Sequence, residues 1–370
     1  MPSTLPELAP YVSARGDRLT ERLEAASLDA VIVSSPANRR YLTGFDGSYG
    51  FALLSASGAR LFFTDWRYVE QAAAQAPGFE VVRLEKNKDL WTPLQARLGA
   101  LGAARLGYEG HHVTDAWLAE ARANTRGVEW LPTGRMVEAL RDVKDAYEIA
   151  CLREAQAVAD AAWAHIAPRV AAGVTERSLA VELRHRIELL GADNYPGIPI
   201  VASGWRAALP HGRAGTKVVE RGEFVLFDFG ALVGGYHSDM TRMVCVGKPD
   251  AKQREVYDIV RGCMEAGIAL MKGGVTGQAV DRASREPIHA AGYGRYEHGF
   301  SVGHGVGLEV HEDPFLSEAY TAPLKAGMVV TVEPGIYVPG WTGARVEDTV
   351  LVTASGCEVL DTSSRDLLEV

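Results

Sequence analysis

Apolar and polar positions alternate along the first third of the chain in patterns that predict both helices and strands. Helical spacing and short apolar runs follow one another in this order: helix 15–29, strand 30–35, two strands in 51–65, helix 67–76 and strand 79–84. The two strands of FALLSASGARLFFTD (51–65) are joined at Ser57 and Gly58, which are typical turn residues. This alternation favours an α/β domain with a partly parallel sheet over residues 1–133.

A long helical pattern beginning at Met136 opens a second region, which we assign to residues 134–370. This region contains pairs of similar segments in the same order. The pairs are 171–192 with 272–293, 222–230 with 327–335, and 238–246 with 346–352. Chance similarity is the alternative, but the shared order favours an internal repeat. We therefore predict two similar halves, each a helix followed by a hairpin, packed about a pseudo-twofold axis.

The repeat brings four acidic residues into correspondence. Alignment of the halves sets Asp228 on Glu333 and Asp239 on Glu347, within apolar surroundings such as VLFDF and VVTVE. Carboxylates that converge in an apolar sheet repel one another strongly, because the interior screens charge poorly. Pairing with Arg or Lys would suit exposed strands better than these runs. The pattern therefore predicts cations among the four carboxylates.

The position of each turn predicts which carboxylates face one another. The acids of the first hairpin are directly opposed if its turn is centred between Val233 and Gly234, and those of the second if its turn is centred on Gly340. Directly opposed residues of antiparallel strands have Cβ atoms roughly 5 Å apart. At that separation the two acids of each hairpin would repel one another unless cations lay among the four carboxylates.

Three histidines accompany the acids. GFSVGHGVGLEVHEDP (299–314) places His304 and His311 around a glycine-rich turn, and His211 in ALPHGRA lies about one repeat length before His311. A histidine ligand favours Mn, Zn, Co or Fe over Mg or Ca. With His304, five ligands of which four are carboxylates indicate two metals roughly 3.5–4 Å apart. Pseudo-symmetry would set His211 and His311 on opposite rims of one pocket, although a lone histidine is more often a packed core residue.

The composition of the 370 residues is that of an ordinary globular protein, with 47% hydrophobic and 23% charged residues. The formal net charge of −9 argues against a nucleic-acid partner. The N-terminal residues lack the apolar stretch of a secretory signal, and no apolar run reaches the roughly 18 residues of a membrane helix. The four cysteines are far apart and form no CxxC, which predicts reduced thiols in a cytoplasmic protein.

Several motifs together resemble a known family. FDFGALVGGYHSDMTR, GHGVGLEVHEDP, VVTVEPGIYV and ARVEDT resemble the five-ligand signature of the pita-bread metallopeptidases, which include prolidases (Xaa-Pro dipeptidases), aminopeptidases P and methionine aminopeptidases. SPANRRYLTGFDGSYG (35–50) and FFTDWRYVEQA (62–72) resemble the N-terminal domain of the prolidase and aminopeptidase P branch, which methionine aminopeptidases lack. The resemblance implies an α/β chain with a creatinase-like N-terminal domain and a C-terminal pita-bread domain of pseudo-twofold helix–hairpin repeats.

The resemblance also implies a role for each matching residue. The metal ligands that it implies are Asp228, Asp239, His304, Glu333 and Glu347. Glu333 also matches the ligand proposed to accept a proton from the bridging water. His211 and His311 match two pocket histidines around the scissile bond. Tyr337 and Arg345 match outer residues near the metals, which we assign to substrate binding.

One position departs from the family pattern. Many prolidases carry a histidine four residues before the ligand histidine, where this chain has Phe300. The nearest candidate is His298, six residues before His304. The departure concerns the proline side of the pocket.

The implied activity is hydrolysis of the Xaa-Pro bond, most favourably in dipeptides, by a hydroxide that two divalent cations activate. Mn²⁺ is the expected metal, with Co²⁺ or Zn²⁺ as alternatives, and the expected assembly is a homodimer. An aminopeptidase P that acts on longer peptides is the main alternative. A metal-free creatinase and a non-catalytic peptide binder share the fold, but the complete ligand set disfavours both.

A proline-specific site needs an apolar wall for the pyrrolidine ring and, in a dipeptidase, a cation for the terminal carboxylate. Tyr337, Phe300 and Trp341 lie near the ligands in sequence and are candidates for the wall. Arg345 shares a strand face with the last ligand because strand side chains alternate. Arg213 is a second candidate, since a guanidinium binds a carboxylate through two hydrogen bonds.

Overall fold

The computed structural model describes residues 5–85, 89–193, 198–297 and 299–370. It divides into two compact units: Pro6–Arg141, and Asp142–Val370 together with Leu5. The sequence pattern predicts an earlier boundary between the two units, between residues 133 and 134. The segment after residue 133 joins the first unit because Arg22 donates hydrogen bonds to the carbonyls of Met136 and Ala139, at 3.1 and 3.4 Å.

The first unit is an α/β domain built on a six-stranded sheet. Its helices are α1 (Ala9–Ala25), α2 (Pro36–Thr43), α3 (Val69–Gln75), α4 (Trp91–Leu101), α5 (Asp115–Asn124) and α6 (Glu138–Arg141). Its strands are β1 (Ala30–Val33), β2 (Phe51–Ser55), β3 (Arg60–Asp65), β4 (Glu80–Leu84), β5 (Arg105–Tyr108) and β6 (Glu129–Pro132). The strand order is β4-β3-β2-β1-β5-β6.

The predicted mixture of strand directions is confirmed. Strand β1 runs parallel to β5, β5 to β6, and β3 to β4, whereas β2 is antiparallel to both of its neighbours. The antiparallel pair β2–β3 turns at Gly58, whose φ of 88° lies in the left-handed region that glycine adopts without strain. Apolar side chains that alternate along these strands, such as Ile32, Leu53 and Phe63, are buried in the core of the unit.

The second unit contains four helices and eleven strands among its described residues. The helices are α7 (Ala146–Ile166), α8 (Glu176–Leu189), α9 (Ala251–Leu270) and α10 (Gly277–Ala290). The strands are β7 (Ile200–Ser203), β8 (Phe224–Phe229), β9 (Leu232–Val233), β10 (Tyr236–His237), β11 (Met240–Cys245), β12 (Val329–Val332), β13 (Gly335–Val338), β14 (Thr342–Arg345), β15 (Asp348–Val352), β16 (Cys357–Val359) and β17 (Leu368–Glu369). The two larger sheets have the orders β17-β11-β8-β7 and β12-β15-β16.

The internal repeat appears as matching helix starts. Thr175 precedes α8 and Thr276 precedes α10, and each side chain accepts a hydrogen bond from the backbone N–H three residues on. Gly173 and Gly274 lie two residues before these caps, with φ of 95° and 90°. The predicted halves are therefore confirmed at the level of individual capping residues.

The longer helices of the two halves also begin alike. Asp145 and Glu148 form a capping box at the start of α7, and Asp250 and Gln253 form one at the start of α9. The cap at Asp145 also divides the helical pattern that begins at Met136, which the sequence analysis treats as one continuous element. The pattern is instead two helices, α6 and α7.

Each half buries an apolar cluster between its helices and its hairpin. In the first half the cluster includes Trp163, Leu183, Phe227 and Val244. In the second half it includes Val260, Met264, Val330 and Val350. In each hairpin the acidic residues lie on the strand face opposite to these cluster residues, because side chains alternate along a strand.

Two further expectations concern the whole chain. All four cysteines lie within the described residues, and none of them forms a disulfide. Burial raises the pKa of the Cys245 thiol to about 11 and that of Cys263 to about 12, which keeps both protonated. Across the described ranges, every helix is too short or too polar to span a bilayer.

Candidate metal centre

The first hairpin carries Asp228 near the end of β8 and Asp239 just before β11. The predicted register is wrong, because Asp228 lies opposite Thr241 and the turn is centred between Gly234 and Gly235. These glycines have φ of 60° and 85°, and a two-residue type I′ turn requires positive φ at both central positions. Since Asp239 lies two residues before Thr241, alternation still directs both carboxylates to one face.

The second hairpin has the register that the sequence predicts. The pairings of β12 with β15 and of β13 with β14 share one register, which sets Glu333 opposite Glu347 and centres the turn on Gly340. The backbone N–H of Glu347 donates to the carbonyl of Thr241 at 3.3 Å, which joins the two hairpins at an isolated bridge. This bridge brings the four carboxylates together.

His304 completes the cluster from a separate loop. Its Nδ1 lies 3.0 Å from the carbonyl of Gly305, which orients Nε2 toward the acids. Nε2 is 3.1 Å from Glu333 Oε1 and 3.7 Å from Asp239 Oδ2. One ligand atom each from Asp239, His304 and Glu347 lie within 4.8 Å of one another. The spacing is suited to a shared cation.

The proximity of these groups shifts their proton equilibria. Burial, together with the charges of Glu347 and Asp228, raises the pKa of Asp239 well above its ordinary value. Burial and the charges of Glu333 and Asp228 raise the pKa of Glu347 to about 8. Burial opposes charge on His304 and Glu333, but their mutual hydrogen bond and attraction raise the pKa of His304 to about 9 and lower that of Glu333 to about 2. The cluster therefore holds protons that a cation would displace.

The bonding of Glu347 tests whether a cation fits. Its Oε2 accepts a hydrogen bond from Thr241 Oγ1 at 2.7 Å. Its Oε1 is buried and has no hydrogen-bond donor among the described residues. A buried carboxylate oxygen without a donor is costly and rare, and a metal ion would satisfy it. The donor set of carboxylates and one imidazole fits a divalent transition metal.

Arg345 lies beside this cluster and is buried. Its guanidinium forms an ion pair with Asp228 and donates to the hydroxyl of Tyr337 at 2.9 Å and to Thr241 Oγ1 at 3.1 Å. It also donates to the carbonyl of Pro210 at 3.2 Å. The arginine therefore holds Asp228 and Tyr337 in place. Its assignment to the substrate's carboxylate stays a prediction.

The cluster opens into two adjoining cavities of about 330 and 290 Å³. The predicted site residues on the wall of the first are Asp228, Asp239, His304, Glu333, Glu347, His211, His311 and Arg345. The second cavity shares His211, His304, His311, Glu333 and Arg345 and adds Tyr337. The structure thus brings together the nine residues that match a metal-binding, catalytic or substrate-binding position of the family.

The three histidines differ in their surroundings. His211 and His311 are exposed, whereas His304 is buried. The rings of His304 and His311 lie 4.2 Å apart. His311 lies at the cavity rim, where partial desolvation by the surrounding protein and the charge of His304 lower its pKa, which favours its neutral form. As a neutral imidazole at the rim, His311 is able to donate or accept a hydrogen bond.

Sequence reasoning missed part of the cavity wall. Ile198, Ile200, Val310 and His237 line the first cavity beside the acids. His237 could have been found, because it lies in the same motif as Asp239 and two residues before it. Val310 likewise directly precedes His311 in a quoted motif, whereas Ile198 and Ile200 lie outside the motifs and carry no comparable signal.

The candidates for an apolar wall separate into two groups. Phe300 and Tyr337 line the second cavity, together with Phe315. Trp341 instead packs against the core, with Lys252 Nζ lying 4.2 Å from the centre of its ring. His298, the alternative to the missing family histidine, lies outside the described residues.

A second group of donors lies in the first unit. Glu109, His111 and Glu138 also have ligand atoms within 4.8 Å of one another. The Glu109 carboxylate accepts hydrogen bonds from the backbone N–H groups of Ser34 and Ser35 at 2.6 and 2.7 Å. The side-chain amide of Asn38 donates to the other carboxylate oxygen at 2.7 Å. This carboxylate is thus satisfied by the protein itself.

Comparison with known proteins agrees with this geometry. Residues 150–354 match the model of metallopeptidase family M24, and residues 15–143 match the creatinase/prolidase N-terminal domain. The chain is 34% identical to the Xaa-Pro dipeptidase of Pyrococcus furiosus, over 96% of this chain and 99% of that protein.

Solved structures give the same result. The Xaa-Pro dipeptidase from Bacillus anthracis superposes with a TM-score of 0.93 at 40% identity, covering 97% of this chain and 100% of that one. The X-Pro aminopeptidase from Thermotoga maritima superposes with a TM-score of 0.89 at 35% identity, covering 96% and 99%. The two-unit architecture, the converging acids and these matches show that the chain belongs to metallopeptidase family M24 and carries a creatinase/prolidase N-terminal domain.

Proposed function

We propose that the protein hydrolyses the Xaa-Pro bond, most favourably in Xaa-Pro dipeptides. The observation that carries the proposal is the convergence of four carboxylates and His304 on one cavity, with a buried oxygen of Glu347 that finds no donor in the described part of the chain. The similarity to Xaa-Pro dipeptidases supports the substrate class.

The residues that would hold two divalent cations are Asp228, Asp239, His304, Glu333 and Glu347. When bound, the cations would polarise the peptide carbonyl and lower the pKa of water toward neutrality. We propose Mn²⁺ as the metal, with Co²⁺ and Zn²⁺ as alternatives, because the site combines imidazole with carboxylates.

The protein's own groups would then manage protons and charge. Glu333 accepts the proton of the attacking water and returns it to the leaving nitrogen, a role that its ionised carboxylate and its place in both cavities support. His211 and His311 donate hydrogen bonds to the carbonyl oxygen as negative charge develops there. Arg345 keeps Asp228 and Tyr337 oriented throughout.

The two cavities suggest one subsite on each side of the scissile bond. The second, with Phe300, Phe315 and Tyr337, offers an aromatic wall to the pyrrolidine ring. Proline has no amide hydrogen and a fixed φ, so it gains more from this contact than from a pocket that bonds the scissile N–H. The first, with Ile198 and Ile200, would receive the preceding residue.

A product assay tests the proposal. Chelated enzyme is supplied with Mn²⁺ and given Xaa-Pro, the same dipeptide with an amidated carboxylate, Xaa-Pro-Yaa and longer peptides. We expect the fastest cleavage of Xaa-Pro and a loss of rate on amidation, since a dipeptidase must neutralise the carboxylate. Cleavage of none of these peptides would contradict the proposed reaction.

Aminopeptidase P activity is the second candidate, and the similarity to the X-Pro aminopeptidase from Thermotoga maritima favours keeping it. Faster cleavage of Xaa-Pro-Yaa than of Xaa-Pro would select it. We also propose a cytoplasmic homodimer. Light scattering coupled to size-exclusion chromatography would test the dimer, and fractionation of cells would test the location.

A further inference from the structure

The first residue of α8, Glu176, is fully buried although it carries a charge. Its Oε1 accepts hydrogen bonds from the backbone N–H and the hydroxyl of Ser203, at 2.8 and 3.0 Å. Its Oε2 accepts from the backbone N–H of Gly215 at 3.0 Å. Nε of Arg206 lies 3.0 Å from Oε2 and 3.2 Å from Oε1. One carboxylate thus binds the chain at three separate points.

These points enclose the segment that carries His211. Ser203 and Arg206 precede the histidine and Gly215 follows it. Arg206 extends the connection, because its Nη2 donates to the carbonyl of Arg213 at 2.6 Å. The 203–215 segment is therefore tied to α8 on both sides of His211, whose side chain reaches both cavities.

The other half shows that the fold does not require this acid. The residue equivalent to Glu176 is Gly277, and a Cβ there would lie 2.9 Å from Tyr320. Helix α10 nevertheless begins with the same threonine cap as α8. The acid is therefore not needed to start the helix.

The second half holds its own rim histidine differently. Glu312, which follows His311, exchanges backbone hydrogen bonds of 2.9 Å with Gly305. Its side chain forms a 2.7 Å ion pair with the buried Lys144. Each half thus commits an ion pair with a fully buried member to the segment that carries its pocket histidine, but it uses unrelated residues to do so.

Energetics also favour a positioning role. Burying an ion pair gains little stability over apolar packing, because desolvation offsets the attraction. A buried carboxylate that accepts five hydrogen bonds does, however, specify one geometry. We propose that Glu176 and Arg206 are positioning residues that hold His211 at the distance from the metal centre that hydrolysis requires. This inference rests on the proposed role of His211 in hydrolysis.

A double-mutant cycle tests the inference. Glu176→Gln, His211→Ala and the double variant are assayed with the same Xaa-Pro dipeptide in Mn²⁺-loaded, full-length enzyme. We expect Glu176→Gln to lower kcat by roughly tenfold or more through misplacement of the histidine. In the His211→Ala background the same change should lower kcat by less than about twofold, since the group that it positions is gone. Metal content should be unchanged in all three.

The outcomes separate the two hypotheses. An equal fold-loss in both backgrounds would overturn the positioning role and assign Glu176 to general stability. Wild-type activity of His211→Ala would instead overturn the proposed role of His211, and the positioning role with it. If Glu176→Gln does not fold, Arg206→Lys is used in the same cycle, because it keeps the charge but loses the link to Arg213.

A matched control comes from the symmetry-related helix. Asp281 on α10 is also buried and pairs with an arginine, Arg285, at 2.9 Å. It has no hydrogen bond or ion pair to the described 203–215 segment. Asp281→Asn should leave kcat within about twofold of wild type in both backgrounds, as expected for independent sites. A loss like that of Glu176→Gln would show that any buried ion pair has the same effect, and would overturn the specific role.

Discussion

Two clusters among the described residues each bring three potential metal ligands within 4.8 Å of one another, yet only one of the two has the properties of a metal centre. Their members are Asp239, His304 and Glu347 in the second unit, and Glu109, His111 and Glu138 in the first. Each cluster consists of one histidine and two acidic residues. They differ in what the surrounding protein provides for the carboxylates.

In the first unit the protein supplies the donors. The chain turns after β1 so that the backbone N–H groups at the start of α2 meet the carboxylate of Glu109. In the second unit the protein brings acids to face other acids, and one oxygen of Glu347 has no donor from any residue that the structure describes. Unmet charge on the carboxylates, more than their proximity, therefore marks a metal centre.

Removal of one acid from each cluster is the most direct test of which cluster binds metal. Glu347→Gln or Asp239→Asn should lower bound metal and reduce kcat/KM by more than about 10²-fold, beyond the loss typical of an outer partner of a metal ligand. The matched change Glu138→Gln in the other cluster should alter neither quantity. Elemental analysis and the dipeptide assay measure both.

Opposite results would reverse the assignment. Activity that survives a chelator, in enzyme without transition metal, would exclude the proposed centre. Loss of one metal per chain in Glu138→Gln, with retention in Glu347→Gln, would move a metal to the first unit.

A smaller effect is expected at the rim of the centre. His211→Ala and His311→Ala should each lower kcat by roughly 10²-fold, the loss typical of one hydrogen-bond donor to the transition state. Both variants should fold and keep their metal, because neither histidine belongs to the proposed ligand set. Unchanged kcat in both would assign the two histidines to packing.

The two hairpins that carry the acids are not equally predictable from the sequence. The acids and histidines are visible because the two halves repeat, and the Glu333–Glu347 register follows from the turn at Gly340 alone. The first hairpin is shifted because two successive glycines permit a turn that a valine would strain. Its acids still converge, since a register shift of two residues preserves the face.

Other features depend on packing that no local pattern reveals. Ile198 lines the cavity of the metal centre from the loop before β7. The guanidinium of Arg345 pairs with Asp228 because the two hairpins are joined at the Thr241–Glu347 bridge. The boundary between the two units also depends on tertiary contacts. The strand pattern ends before α6, but hydrogen bonds from Arg22 attach the segment that includes α6 to the first unit. These are consequences of tertiary contacts.

The pKa of Glu347 allows a further test of whether the protein leaves the charge of this carboxylate without a partner. The pKa of Glu347 rises from an ordinary 4.5 to about 8 through burial and neighbouring acids. Between these values the folded protein holds a proton that the unfolded chain releases, so stability falls as pH rises through this window. The free energy of unfolding of chelated enzyme should therefore be lower at pH 8 than at pH 5.5, as measured by urea titration.

Two variants of that titration identify the cause. Glu347→Gln carries no ionisable group, so chelated variant should lose less stability between the two pH values than chelated wild type. Mn²⁺ should restore the stability of wild type at pH 8, because it replaces the proton. An identical pH dependence in wild type and variant would remove Glu347 as the source.

The smallest effect on catalysis is expected from Glu109, where the comparison predicts a purely structural role. The carboxylate is buried and satisfies the backbone N–H groups of Ser34 and Ser35 and the amide of Asn38. Glu109→Ala would leave these donors without their acceptor, at a cost of about 1–3 kcal/mol for each that water does not reach. The variant should therefore unfold at a lower urea concentration, yet at low temperature its folded fraction should bind as much Mn²⁺ and turn over Xaa-Pro as fast as wild type. Glu129, an exposed glutamate that pairs with Arg105, gives the control, because Glu129→Ala should change stability by less than about 1 kcal/mol. A Glu109→Ala enzyme of wild-type stability that binds less metal would mean that this carboxylate serves a cation after all, and that hydrogen-bond satisfaction does not separate the two clusters.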